Sequence, residues 1–252
     1  MKVVVCAKQI PDPATPYELE EGTGWLVRPS DQILDDTDRY GVEMGLQLAQ
    51  DNEGSVTLVS MGPMGSAQGI RQALAMGADK AVIVDDESLR GSDALTTARI
   101  LAAAIAKEGF DLVITGTEST DGYTGVVPQM VAELLGVPAL TYATKVETGD
   151  GSVTIHQQTA DGYDVVTASL PAVVAVTAGV VEPRYPTFKG IMDAKKKPVE
   201  TLTAADLGVE PQVTQKVVSV VDAPERAAGR KIEDEGEAYQ EILALLEERK
   251  VI

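Results

Sequence analysis

Few side chains in this sequence are of the kinds that move protons, attack carbonyls or hold metals. Cys6 and His156 are each the only residue of their type among 252. A lone cysteine excludes an intramolecular disulfide framework and any Cys-rich metal site. A lone histidine excludes multi-histidine metal sites and leaves little for acid–base chemistry. The many Asp and Glu residues are scattered, with no spacing that argues for a metal, so no metal site and no catalytic set is expected. Cys6, at the end of a first strand, reads as a small buried hydrophobe rather than a reactive thiol. His156, in "HQQT", reads as a solvated strand residue. Lys8 has three open readings: it faces a phosphate, faces a carboxylate, or lies solvated or ion-paired. Binding chemistry is better represented. "TGTESTDGYTGVVP" (115–128) offers Gly116, Gly122 and Gly125, and the hydroxyls of Thr117, Ser119, Thr120 and Thr124, directly before a helix start. Backbone N–H groups at a helix N-terminus hold phosphate, although the same letters suit an ordinary strand-to-helix turn. Neither G-x-G-x-x-G nor G-x-x-x-x-G-K-[ST] is present, which excludes the Rossmann fingerprint and the P-loop.

A second stretch, "VEPRYPTFKGIMDAKKKP" (181–198), is odd in another way. The chain carries 21 basic and 39 acidic residues, a formal net charge of −18, yet three lysines are consecutive here. Pro183 and Pro186 argue against a regular helix, and Pro198 limits any continuation. Phe188, Ile191 and Met192 would be apolar anchors, and Lys195, Lys196 and Lys197 a positive collar. The segment reads either as a solvated surface connection or as a docking loop for an acidic partner.

The elements that must hold these stretches are legible from hydrophobic patterning. "KVVVCA" (2–7), "SVTLVSMG" (55–62), "KAVIVDD" (80–86), "DLVITGT" (111–117) and "AVVAVTAG" (172–179) are short apolar runs bounded by turn residues, as expected of strands covered on both faces. Between them lie helical patterns at 35–50, 65–79, 91–109 and 125–138, with Ser92 or Asp93 as one N-cap and Gly77, Gly109 and Gly136 as stops. Such alternation predicts right-handed crossovers and an open parallel sheet, with ligands outside the carboxyl ends of the strands where strand order reverses. "TKVETGDGSVTIHQQ" breaks the pattern and predicts an antiparallel hairpin. The main α/β domain is placed at 1–200. The remainder, 201–252, is expected to be an arm: a short helix in "TLTAADLGVE", an extended polar linker, and an amphipathic terminal helix with Ile242, Leu245, Leu246 and Ile252 on one side. Hydrophobic residues are 44% and aromatics only 4%, so the core is aliphatic. The acidic balance argues against nucleic acid as a partner. No apolar run approaches the ~20 residues of a membrane span, and "MKVVVCAKQIPD" lacks the ~7–15-residue apolar core of a signal peptide. A cytoplasmic protein without direct membrane insertion is expected.

Several local signatures together resemble the beta subunit of electron transfer flavoprotein: "VCAKQIPD", "IRQALAMGADKAV", "ESTDG", and "LPAVVAV" followed by "EPRYPTFKGIMDAKKKP". The resemblance is strong over about 1–205 and is one of layout thereafter. It implies an α/β fold, an open and mostly parallel sheet with flanking helices of the adenine-nucleotide alpha-hydrolase-like kind. A β-hairpin and an extended C-terminal arm ending in a helix complete it. It also implies a heterodimer with an alpha subunit that holds most of the FAD, with the beta side approaching the flavin near Pro11 to Pro13, and a structural AMP in the beta subunit. Electrons would come from acyl-CoA or other flavin dehydrogenases and pass to a quinone oxidoreductase, as in fatty acid oxidation.

Carried over by position, the AMP site comprises Cys6, Asp35, Asp36, Thr37, Asp38, Met61, Gly116, Thr117, Glu118, Ser119, Thr120, Asp121, Gly122, Tyr123, Thr124, Gly125, Val126 and Val127. The dehydrogenase-docking segment comprises Tyr185, Pro186, Thr187, Phe188, Ile191, Met192, Lys195, Lys196 and Lys197, with Phe188 where the family commonly has leucine. The C-terminal arm would pack on the alpha subunit. There are departures: many AMP-binding members have Asn-Pro at Asp35-Asp36 and Asn-Gln-Thr at Gly125-Val126-Val127. Extra carboxylates beside a phosphate are unfavourable unless they point elsewhere. "DGYTGVV" also resembles in part the D-G-D-T-A-x-V loop of bifurcating members, in which a second FAD replaces AMP. AMP is the favoured occupant. Two other readings stand beside it: the bifurcating subunit, and a stand-alone adenine-nucleotide-binding protein of the same fold. A nucleotide hydrolase or ligase would need a Ser-Gly-Gly-x-Asp loop, which is absent after the first strand.

Overall fold

The apolar runs become the centre of a nine-stranded sheet. The structure is a computed structural model that describes residues 1–221, 224, 229, 231–234 and 236–252. In chain order the strands are β1 (Lys2–Cys6), β2 (Gln9–Ile10), β3 (Ile33–Leu34), β4 (Ser55–Met61), β5 (Lys80–Val84), β6 (Leu112–Gly116), β7 (Ala139–Gly149), β8 (Ser152–Gln158), β9 (Tyr163–Ser169), β10 (Ala172–Val176) and β11 (Val199–Leu202). The helices are α1 (Asp36–Asp51), α2 (Gln68–Met76), α3 (Ala94–Glu108), α4 (Val127–Leu135), α5 (Phe188–Ala194) and α6 (Ala238–Glu248). The sheet order is β11-β5-β4-β1-β6-β10-β7-β8-β9, while β2 and β3 form a separate antiparallel ribbon. Pairing is parallel from β11 through to β7 and antiparallel along β7–β8–β9. The expected α/β architecture is therefore present.

Period-two alternation sends successive side chains to opposite faces, so a strand covered on both sides must be apolar throughout. Val3 and Val5 of β1 face a layer that also contains Leu46 and Leu48 of α1 and Ile70 and Leu74 of α2. Val4 faces the other layer, with Ile100 and Ile105 of α3 and Val131 of α4. Helix α1 approaches the sheet closely through Gly45, where a Cβ would stand 2.7 Å from Val5 Cγ2.

Three expectations change. The predicted hairpin is the first half of a three-stranded meander. Its Asp150-Gly151 turn, with φ of 50° and 74°, is the left-handed pair a tight hairpin needs. The third strand, β9, was masked in sequence by the polar run "TADGYD". The segment 181–198 contains a helix, α5, because Pro183 and Pro186 precede it and Pro198 follows it. Thr187 caps α5 by accepting from Gly190 N at 3.0 Å. Gly190 packs against α2, where a Cβ would lie 2.5 Å from Ala75 O. Finally, residues beyond 200 do not begin an arm. β11 adds an edge to β5, the expected helix in "TLTAADLGVE" is one 3-10 turn at Ala205–Leu207, and Thr214 bonds to Asp93 Oδ2 through both N and Oγ1 at 2.6 Å. The first compact unit spans Met1–Val217 and the second Val218–Ile252. The second contains α6, on which Ile242, Leu243 and Leu245 are exposed. Residues 222, 223, 225–228, 230 and 235 of the expected polar linker lie outside the described residues.

Candidate functional site

Strand order reverses at β1: the chain runs from β1 to β4 and β5 on one side, then returns through β6 on the other. That is the switch point at which open α/β sheets bind ligands. A cavity of about 230 Å³ lies there, beyond Cys6, Met61 and Gly116 at three carboxyl strand ends and between the first turns of α3 and α4. Its inner wall is apolar, with Val59, Leu101 and Val131; its mouth carries Lys8, Ser119, Gly122, Thr124 and Gly125. Helix α4 starts without a side-chain cap, since its N-cap residue is Val126. Its first N–H groups are thus left for another acceptor, and an anion is the natural one. By contrast α1 and α3 are capped by Asp35 and Asp93.

The expected nucleotide residues divide into two sets. Cys6, Asp38, Met61, Gly116, Thr117, Glu118, Ser119, Gly122, Thr124, Gly125 and Val127 line the cavity. The others stand behind it. Asp35 is fully buried and bonds the loop to α1. Its Oδ1 accepts from Thr37 N at 3.0 Å, Thr37 Oγ1 at 2.9 Å and Thr120 Oγ1 at 2.7 Å, and its Oδ2 from Thr120 N at 2.6 Å. Asp36 points outward and pairs with Arg39 at 3.4 Å. Tyr123 and Val126 are exposed. Asp121, its side chain 1% exposed, is clamped between Lys8 Nζ at 2.6 Å and Arg28 at 2.5 Å. Lys8 thus faces a carboxylate and also donates to Ser119 Oγ at 3.3 Å. Burial works against the Asp121 charge, but Lys8 and then Arg28 outweigh it and hold the carboxyl below its usual range.

Asp38 is different. Burial, then the neighbouring Asp35 charge, push its pKa up to about 8, although its Oδ2 accepts from Lys8 N at 2.7 Å. At neutral pH it is an uncharged acid with a proton to donate. Cys6 is pushed up to about 12 by burial and by Asp38, so it is a thiol and not a nucleophile. The extra carboxylates are thus disposed of: one is turned into the loop, one faces outward, one is neutral and one is doubly paired. Glu118 remains at the rim. An adenine nucleotide fits this lining, with apolar walls for a base and an uncapped helix for a phosphate. Thr115 adds a buried hydroxyl with no partner. Sequence reasoning missed Thr97, Leu101, Thr115 and Val131, which are inward faces of elements, and Arg28, whose partner is 93 residues away.

The segment expected to dock a partner is arranged around one fork. Arg184 meets the buried Glu43 of α1 through Nε at 2.7 Å and Nη2 at 2.9 Å. Beyond it Tyr185 is 80% and Phe188 82% exposed, with Ile191 and Met192 about half exposed beside them. The Arg39 guanidinium lies 5.8 Å from the Tyr185 ring centroid. Pro186 is half-buried, and Lys195 and Lys196 are exposed. Lys197 is not part of the collar: its Nζ donates to Leu74 O at 3.0 Å and Ala78 O at 2.6 Å, tying off the end of α2. His156 stacks on Tyr163 at 4.1 Å between centroids. Among the described residues no group of three or more His, Cys, Asp or Glu could hold a metal ion, and no helix is long and apolar enough to cross a membrane.

Comparison with known proteins matches residues 23–207 to the electron transfer flavoprotein domain. The electron transfer flavoprotein subunit beta of Mycobacterium tuberculosis is 41% identical over 99% of both chains. That of Megasphaera elsdenii is 33% identical over 100% of both. The caffeyl-CoA reductase-Etf complex subunit CarD of Acetobacterium woodii is 34% identical over 84% of this chain and 82% of its own. With the family domain spanning most of the α/β unit and relatives matched end to end, the chain belongs to the electron transfer flavoprotein beta subunits.

Proposed function

We propose that this chain pairs with an alpha subunit to form a diffusible cytoplasmic electron carrier, and that its own cavity holds one AMP as a structural ligand. Membership of the family implies the alpha partner. FAD, held mainly by that partner, supplies the redox chemistry. This chain's residues bind, orient and exclude water. Flavin dehydrogenases, acyl-CoA dehydrogenases among them, dock on the Tyr185 to Lys196 surface and hand over electrons, which leave for a quinone oxidoreductase. The subunit is a carrier component and not an enzyme in its own right.

The observation that carries the AMP reading is the cavity's combination of size and lining. At about 230 Å³ it lies below the ~300–1,000 Å³ usual for small-molecule and cofactor pockets, which favours a mononucleotide over a dinucleotide. Its one uncapped helix start suits one phosphate. The second reading, a further FAD in the same place, is favoured by the loop "DGYTGVV", which resembles in part that of bifurcating members. That occupant would have to extend past Glu118 and Gly125 into solvent or onto the partner. In either case exposed Phe188 and its neighbours present a small apolar anchor, which gives modest affinity and fast exchange, as a carrier serving several partners needs. The test is anaerobic reduction of the co-expressed heterodimer by an acyl-CoA dehydrogenase with its substrate. Bleaching of the flavin absorbance at catalytic dehydrogenase concentrations supports the carrier role. A chain that neither pairs with its alpha subunit nor yields a reducible flavin overturns it.

A further inference from the structure

Among the described residues that line the cavity, one buried side-chain polar atom is left without a partner. Thr115, in β6, is 6% exposed and lines the cavity, and its Oγ1 is buried with no hydrogen bond. Burying a hydroxyl unpaired is unfavourable, and a valine of the same shape would serve the strand as well or better. The hydroxyls two and five residues further on are engaged: Thr117 Oγ1 donates to Val176 O at 3.0 Å and Thr120 Oγ1 to Asp35 at 2.7 Å. Val113, two residues before Thr115, packs in the layer formed by α3 and α4. Thr115 therefore faces that same side, the side on which Leu101 and Val131 make the apolar wall.

We propose, resting on the reading of the cavity as a nucleotide site, that the Thr115 hydroxyl is a specificity contact for the polar edge of an adenine base held against the α3–α4 wall. The phosphate then lies toward the uncapped start of α4. A rotation of about 120° around χ1 carries Oγ1 to another staggered position, from which it can meet the ligand. The chemistry recognised is an adenylate group, supplied either by free AMP or by the AMP half of FAD.

Thr115→Val removes a group that is a liability while the cavity lacks its ligand and an asset once it is filled. In the heterodimer with its alpha subunit, equilibrium dialysis with labelled AMP is expected to show binding about three- to tenfold weaker for T115V, the loss of one hydrogen bond. Thr115→Ser, which keeps the hydroxyl, is expected to bind near wild type. Melting of the nucleotide-stripped heterodimer is expected at the same temperature or higher for T115V. Chromatography of AMP and FAD retained after timed dialysis identifies the source: selective loss of AMP, or of FAD beyond one equivalent, each supports the contact. Equal AMP affinity and equal retention in wild type and T115V overturn the inference but leave the nucleotide cavity standing. So does a stripped T115V heterodimer that melts earlier in proportion to its weaker binding, since that is a packing effect. A wild-type heterodimer that holds neither AMP nor a second FAD overturns both.

Discussion

Asp38 allows a test in which magnitude and sign both follow from position. Its carboxyl lies in the cavity wall, buried beside Asp35, and its pKa is raised from 3.8 to about 8. A group that binds its proton more tightly folded than unfolded contributes stability that is complete below the unfolded value, near pH 4. That contribution is lost as pH rises toward 8, then changes little. Asp38→Asn keeps the shape and an oxygen to accept from Lys8 N, bonded at 2.7 Å in the native chain, and has no proton to lose. The stability of wild type relative to D38N should therefore fall with pH, by close to tenfold in the folding equilibrium per unit below pH 7 and less as pH 8 is approached. Between pH 6 and pH 8 that is roughly 2 kcal/mol. Urea unfolding of the nucleotide-stripped heterodimers at pH 6, 7, 8 and 9, at one protomer concentration, measures it. D38N should gain on wild type up to pH 8 and hold its lead at pH 9. A difference that is flat from pH 6 to pH 8 would mean that Asp38 is charged throughout, and that a carboxylate faces the phosphate after all.

Three further outcomes follow from the proposed docking segment. Phe188→Ala, at a side chain 82% exposed, should change stability by no more than ~0.5 kcal/mol yet slow flavin reduction by a dehydrogenase in stopped-flow traces. An unchanged rate removes the anchor. Arg184→Met strands the buried Glu43 carboxylate and should cost about 3 kcal/mol in denaturant unfolding. The double change Glu43→Met with Arg184→Met should recover much of it, and a double variant no better than the single contradicts the fork. Lys197→Met should lower stability by about 2 kcal/mol with no change in rate per folded dimer, whereas Lys195→Met and Lys196→Met should do the reverse at low salt. Rate loss in K197M at unaltered stability would return that lysine to the collar.

Strand ends were readable from the sequence because both-face burial demands apolar runs, and runs end where turn residues begin. Cys6, Met61 and Gly116 each close such a run, which sets them at one edge of a parallel sheet. The far wall was not readable. Thr97, Leu101 and Val131 look like any inward helix residue, and only the packing of α3 and α4 at the reversal point turns them toward a ligand. The Lys8–Asp121–Arg28 clamp joins three loops across 113 and 93 positions, and no local pattern encodes such a meeting. In the docking segment the prolines pointed to irregular chain. The helix between them depends on Thr187 at its cap and Gly190 against α2, a threonine and a glycine three residues apart that resemble any turn. Three adjacent lysines read alike in sequence, and tertiary contacts alone assign Lys197 to the end of α2.

The central claim is that the switch-point cavity holds one AMP. Its most direct test is to purify the heterodimer co-expressed with its alpha subunit, denature it, and quantify released nucleotides by chromatography. One AMP and one FAD per heterodimer is the predicted result. Two FAD and no AMP would contradict it, and would make the loop from Gly116 to Val127 a flavin site.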